Sequence, residues 1–171
     1  MVIGLALFVG GCIDRDVKGD TVSYDYAWWV PVLTLLAALV AFPAGLVLRK
    51  RSGRIGWGLM ILSPFLAILI FPGMLLDKVK IDSQHFETRY GFWFAPTKAN
   101  VPFDDLVELR LVTYQERTRR GGRQTKQKFV CIHKSAAPKE TVHLGTLVKE
   151  AAGDIIERAQ AKGVTVTETE E

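Results

Sequence analysis

The sequence predicts an α+β membrane protein: a transmembrane helical hairpin, then an antiparallel β domain closed by one C-terminal amphipathic helix. Three observations carry this expectation. Two uncharged apolar runs, Ala27–Leu48 and Ile55–Leu76, each hold about 22 residues. Beyond Asp77 the chain turns polar, and apolar residues recur at every second position. Near the C-terminus the recurrence changes to helical spacing. The expected organisation is residues 1–26 as a short apolar segment and an acidic loop, residues 27–76 as the helical hairpin (27–48 and 55–76), and residues 77–171 as a soluble domain.

Each apolar run spans about 33 Å at 1.5 Å per residue, enough for a hydrocarbon core of about 30 Å. Backbone in lipid must satisfy its own hydrogen bonds, so both runs are expected as helices. Pro43, Pro64 and Pro72 are expected to kink these helices rather than end them. Trp28 and Trp29 open the first run, where an interfacial aromatic belt belongs. Neither run shows a polar face, which a soluble helical hairpin would need.

Every charge between Asp25 and Asp77 lies in the elbow: Arg49, Lys50, Arg51 and Arg54. Short loops rich in Lys and Arg stay cytoplasmic. The competing flank, Ile13 to Tyr26, holds Asp14, Asp16, Asp20 and Asp25 against Arg15 and Lys18. The expectation is a multi-pass protein of the cell (inner) membrane. Its elbow is cytoplasmic, and residues 13–26 and 77–171 lie on the non-cytoplasmic side. The first residues, "MVIGLALFVGGC", are too few to span as a straight helix. They read either as a loose lipobox ending at Cys12 or as a shortened transmembrane helix.

The domain after Leu76 reads as about six strands. "KVKIDS" alternates Val79 and Ile81 against Lys78, Lys80 and Asp82. "HFETRYGFWF" puts Phe86, Thr88, Tyr90, Phe92 and Phe94 on one face. "KANVPF" is a short strand in which Pro102 suggests a sheet edge or a strand end. "LVELRLVTYQERT" sets Val107, Leu109 and Leu111 against Glu108 and Arg110. A turn at Gly121–Gly122 leads to "KFVCIHK", and another near Ala136–Pro138 leads to "KETVHLG". Leu147, Val148, Ala151, Ala152, Ile155, Ile156 and Ala159 then form the apolar stripe of one helix, with Thr146 as its cap and Gly163 as its end. The acidic tail "VTVTETEE" is expected to fray.

The step Val101, Pro102, Phe103, Asp104, Asp105, Leu106, Val107 resembles one found in bacterial pleckstrin-homology-like domains. There an apolar-Pro-aromatic-acidic turn leads into a strand rich in Ile and Val. The resemblance covers Lys78 to Gly163 and implies a PH-like β barrel with a C-terminal helix, often placed after two transmembrane helices. Such domains are usually expected on the cytoplasmic face, which the elbow argues against. The fold implies no single activity.

The strongest chemical feature is basic. Arg117, Arg119, Arg120, Arg123, Lys126 and Lys128 cluster around Gly121–Gly122, and positive charge on a hairpin tip can meet anionic headgroups. A solvated hairpin whose charge aids solubility is the plainer reading. From Asp77 onward 16 basic residues face 14 acidic ones, so the overall basic footprint of a nucleic-acid binder is missing. His133 and His143 would face each other if their turn centred on Pro138, with His85 as a further imidazole; two histidines in a meander are a weak signal, and no metal site is expected. Asp104–Asp105 reads as a turn feature rather than a carboxylate pair. Two cysteines, Cys12 and Cys131, exclude a disulfide framework and a Cys-rich zinc site. No nucleophile elbow, zinc-protease, P-loop or dinucleotide motif occurs. The expected function is a non-enzymatic membrane-anchored binding module, without cofactor. Its partners are the bilayer and either anionic lipid or a partner membrane protein. The alternative is an accessory subunit of a membrane enzyme or transporter.

Overall fold

The computed structural model describes residues 12–117, 121–135 and 139–170. Strands β1 (Ile13–Lys18) and β2 (Thr21–Tyr26) precede helix α1 (Trp29–Arg49). Helix α2 (Gly53–Leu76) returns the chain. Strands β3 (Lys78–Ile81), β4 (His85–Phe92) and β5 (Ala95–Pro102) follow. A short turn of 3-10 helix, Phe103–Asp105, leads to β6 (Leu106–Arg117), β7 (Arg123–His133) and β8 (Glu140–His143). Helix α3 (Thr146–Ala161) and strand β9 (Thr165–Glu170) end the chain. The class is α+β, with two apolar helices on the N-terminal side and, after them, a mainly antiparallel β region in which β6–β7 and β7–β8 pair antiparallel and β6–β9 pair parallel.

The strands form two open sheets, ordered β1-β2-β3-β4-β5 and β8-β7-β6-β9, not one closed barrel. Two expectations change here. Residues 13–26 are not a loop. They form the β1–β2 hairpin, turned at Gly19 with φ of +61°, and β2 neighbours β3 across the whole helical hairpin. The acidic tail is not frayed either. Its alternating Thr and Val residues form β9, parallel to β6 from Glu108↔Thr165 to Thr113↔Glu170. The β-branched pattern outweighs the acidic composition, and the Thr167 hydroxyl donates to Glu108 at 2.6 Å.

The chain divides into two compact units. One comprises Asp25–Lys78 and Arg89–Thr97 with residues 12–14; the other comprises Arg15–Tyr24, Val79–Thr88 and the described chain from Lys98 onward. The composition boundary at Leu76–Asp77 marks the end of α2, but strands on both sides of it share one sheet.

The first unit is built on small residues. Ala38 and Gly45 of α1, and Gly56 and Ser63 of α2, are buried positions spaced seven apart on each helix. A Cβ at Gly56 would stand 2.5 Å from the Arg49 backbone, and one at Gly45 would stand 2.9 Å from the Met60 side chain. Such close approach is what small residues allow between apolar helices. The Ser63 hydroxyl donates to the Ala38 carbonyl at 2.7 Å. Pro43 and Pro64 sit inside the helices, and a π-helical turn at Leu66–Ile70 precedes Pro72. At the base of the hairpin the Lys78 ammonium meets Asp25 at 2.7 Å.

The second unit holds the buried core. Val79, Ile81, Phe86, Val101, Phe103, Leu106, Leu109, Phe129 and Val142 are inward-facing, with Phe86 and Phe103 rings 5.8 Å apart. Helix α3 adds Leu147, Val148, Ala151, Ile155 and Ala159, the stripe read from sequence; Ala152 and Ile156 flank it, half-buried. Gly145 caps the helix rather than Thr146, which is its first residue and makes no side-chain cap. Gly163, with φ of +78°, closes it as expected.

Two strand faces differ from the simple alternation. In β4 Phe86 and Thr88 are buried, but Phe92 is exposed and Phe94 lies in the turn beyond the strand. In β6 the register slips between Leu106 and Glu108. Val107 is 48% exposed while Leu109 is fully buried, because an irregularity re-aims the residues on either side of it.

A partly buried polar junction joins the β1–β2 hairpin to α3. The Tyr24 hydroxyl donates to Asp154 at 2.7 Å, and the Arg15 guanidinium donates to the same carboxylate oxygen at 2.9 Å. Burial works against the Asp154 charge, but the hydrogen bonds from Tyr24 and Arg15 outweigh it and hold the carboxyl below its ordinary value. A depressed carboxyl contributes stability above its unfolded pKa of about 3.9 and loses it as pH falls through the folded value. Asp154→Asn should therefore lower stability at neutral pH by about 1–3 kcal/mol. The gap to wild type should close below about pH 4. Thermal unfolding of the full chain in detergent across pH checks this; a gap that persists at low pH would contradict it.

Candidate functional site

Strands β6 and β7 pair from Leu106↔His133 to Arg117↔Arg123, and partners in register share a face. Tyr114↔Lys126 and Val112↔Lys128 lie on one face, and Arg117↔Arg123 and Thr113↔Gln127 on the other. The basic cluster read from sequence is thus divided. Lys126 and Lys128 stand together, while Arg117 and Arg123 oppose each other at the end of the hairpin. Arg119 and Arg120 lie outside the described residues.

The Lys126 face continues into β8, where His143 pairs with Lys128. An open groove of ≈ 700 Å³ forms here, lined by Tyr114, Glu116, Lys126, His143, Gly145 and Lys149. The Lys126 ammonium pairs with Glu116. That contact holds the Glu116 carboxyl below its ordinary value and raises Lys126. The Lys128 ammonium lies 4.8 Å from the centre of the Tyr114 ring, a cation–π distance. The groove therefore carries lysines and a histidine around one aromatic ring, with Glu116 as its carboxylate. It is suited to hold an anionic group electrostatically.

His133 and His143 are not opposed. The β7–β8 register sets His143 against Lys128 and Cys131 against Glu140, so His133 lies beyond the pairing. Instead His133 is nearly buried, with Nδ1 3.0 Å from Asp105 Oδ2, and the Ser135 hydroxyl donates to the same oxygen at 3.2 Å. Asp104 turns elsewhere, to Lys162 at 3.1 Å. The two aspartates thus tie the turn before β6 to the end of β7 and to the end of α3. No group of three or more metal-ligating side chains occurs among the described residues. Cys131 is buried in the core, and burial pushes its thiol up to about 12, so it packs as an apolar residue.

Tyr114, His143 and Lys149 were not singled out by sequence as groove residues. Tyr114 is visible within an alternating strand, but its alignment with Lys126 depends on the turn length between β6 and β7. Lys149 reaches the groove only because α3 starts beside the end of β8. No family model matches the sequence, and no curated protein or solved structure is significantly similar to it.

Proposed function

We propose that this chain is a non-enzymatic membrane-anchored binding module: α1 and α2 cross the bilayer, and the second unit presents its basic hairpin and groove to anionic lipid headgroups. The observation that carries the reading is the exposure of the two apolar helices. Their most apolar windows are only 17% and 11% buried, whereas the core helix of a soluble protein would be mostly covered. Lipid is the solvent that fits such surfaces.

The PH-like assignment belongs to this proposal. It is supported by the short turn Phe103–Asp105 at the motif step, the burial of Val101, Phe103 and Leu106, and the buried stripe of α3. In this reading the membrane is the inner cell membrane. The elbow Arg49–Arg54 faces the cytoplasm, because translocating four closely spaced charges is costly. The second unit then lies on the other side. In a background lacking Cys12, a cysteine at Ser52 should resist a membrane-impermeant thiol reagent in cells with a permeabilised outer membrane, and one at Gly122 should react. The reverse pattern would place the second unit in the cytoplasm.

Anion binding is supported by the Arg117↔Arg123 pair, since like charges directly opposite on neighbouring strands repel and a bound anion relieves them. The full chain in neutral-lipid nanodiscs should bind phosphatidylglycerol vesicles at low salt and release them as salt rises. At about 1 kcal/mol per charge near a surface, replacing Arg117, Arg123 and Lys128 together by alanine should weaken binding on the order of a hundredfold. Unchanged binding would refute the lipid reading. Copurification with a stoichiometric membrane partner would favour an accessory subunit.

A further inference from the structure

The turn of the β4–β5 hairpin carries Phe92, Trp93 and Phe94, exposed by 47%, 47% and 60%. Phe92 and Phe94 stack with ring centres 5.4 Å apart, and Trp93 meets Phe94 edge-on at 5.6 Å. Three adjacent exposed aromatics are costly in water. No charge occurs between Arg89 and Lys98, so the tip is an uncharged segment with a cation on each flank.

The tip is attached to α2 by a specific bond. Ile68 lies in the π-helical turn Leu66–Ile70, just before Pro72, which has no N–H to donate. The indole N–H of Trp93 donates to the Ile68 carbonyl at 2.9 Å. A second tie lies nearer the helix end, where the Gly91 N–H donates to Asp77 at 3.0 Å. Close approach is possible there because Gly73 has no side chain; a Cβ would stand 3.1 Å from the Gly91 carbonyl. Ile68 is eight residues before Leu76. At 1.5 Å per residue the indole is therefore held about 12 Å along α2 from its end.

We propose that the Phe92–Trp93–Phe94 turn is a third membrane-embedded element, inserted into the acyl chains of the leaflet that meets the Asp77 end of α2. The proposal rests on the reading that α2 crosses a bilayer. If it does, a point about 12 Å inward from the helix end lies within hydrocarbon of about 30 Å thickness. The tip's surface then has the chemistry of that depth: exposed aromatic rings, and the one indole N–H satisfied by Ile68. The Ile68 carbonyl supplies the acceptor and Trp93 the donor, so a hairpin from the β sheet is fixed at a set depth. The element anchors the β4–β5 tip in one leaflet without spanning it.

The test uses the four tryptophans of the chain. Trp28→Phe, Trp29→Phe and Trp57→Phe leave Trp93 as the sole indole in the full-length protein. It is reconstituted with phosphatidylcholine brominated on the acyl chains, and aqueous iodide is added in a parallel experiment. A control carries Ile61→Trp in a background with all four tryptophans changed to Phe. Trp93 should be quenched by the brominated lipid to within about twofold of the control and be shielded from iodide. If the control is quenched and Trp93 instead responds to iodide, the insertion is wrong and the spanning reading stands. If neither is quenched by lipid, both readings fail. Shielding of Trp93 from both quenchers would place the tip on a protein surface and overturn the proposal. Phe94→Cys carrying an environment-sensitive dye gives a second readout that spares the Trp93–Ile68 bond: blue-shifted emission in vesicles supports insertion, and water-like emission overturns it.

Discussion

Replacing Ile155 with aspartate is expected to unfold the second unit. Ile155 is fully buried, at the centre of the α3 stripe with Leu147, Val148, Ala151 and Ala159. An unpaired carboxylate there costs about 3–5 kcal/mol, and it also removes the apolar contacts of the isoleucine. Domains of this size are stable by only about 5–15 kcal/mol, so most of the margin is lost. Ile155→Val removes a single methylene and should cost about 0.5–1.5 kcal/mol. Near-UV circular dichroism and thermal scans of the full chain in detergent read both. The aspartate variant should lose its tertiary signal, while the valine variant keeps it with a lowered Tm. Equal Tm values for the aspartate variant and the wild type would contradict the placement of α3 over the core.

Gly56→Leu is expected to open the helical hairpin near the elbow. Even a methyl at Gly56 would meet the Arg49 Cα and N at 2.5 Å, and these are backbone atoms that cannot swing aside. Overpacking of this kind costs about 1–3 kcal/mol, and more when the backbone itself must move. Gly58 lies two residues later, with open space where its Cβ would be. Gly58→Leu should therefore leave the stability of the full chain within about 0.5 kcal/mol of wild type, read as an unchanged Tm in detergent. The contrast between two glycines in the same turn separates a packing effect from a general loss of helix flexibility. Equal losses at both positions would refute the close contact.

Much of the fold is legible without coordinates because helices and strands write their periods locally. The two uncharged runs, the basic elbow, the β3 alternation, the Gly163 helix stop and the stripe of α3 are all read at the spacing of one element. The candidate site is less legible. Lys126 and Lys128 are adjacent in the alternation and do share a face, but their company is set by three strands and the start of α3. The sequence groups them with Arg117 and Arg123 by distance along the chain. Register separates the two pairs, because partners across a hairpin share a face and neighbours along a strand do not.

By itself, then, the sequence determined the two apolar helices, the strands from Lys78 to His143, the helix of the C-terminal stripe, and that the elbow is charged; it did not reveal that residues 13–26 and 165–170 are strands. Only the tertiary structure decided that β2 lies beside β3 across the apolar hairpin, that β9 runs parallel to β6, that Val107 turns outward at a bulge, and that Trp93 bonds the Ile68 carbonyl. The physical reason is the range of each interaction. Periodicity reflects geometry repeated every two or 3.6 residues. Strand order, register and a side chain meeting a distant carbonyl depend on segments far apart in the chain, whose pairing is decided by the entropy of closing the loops between them and by the burial gained when they meet.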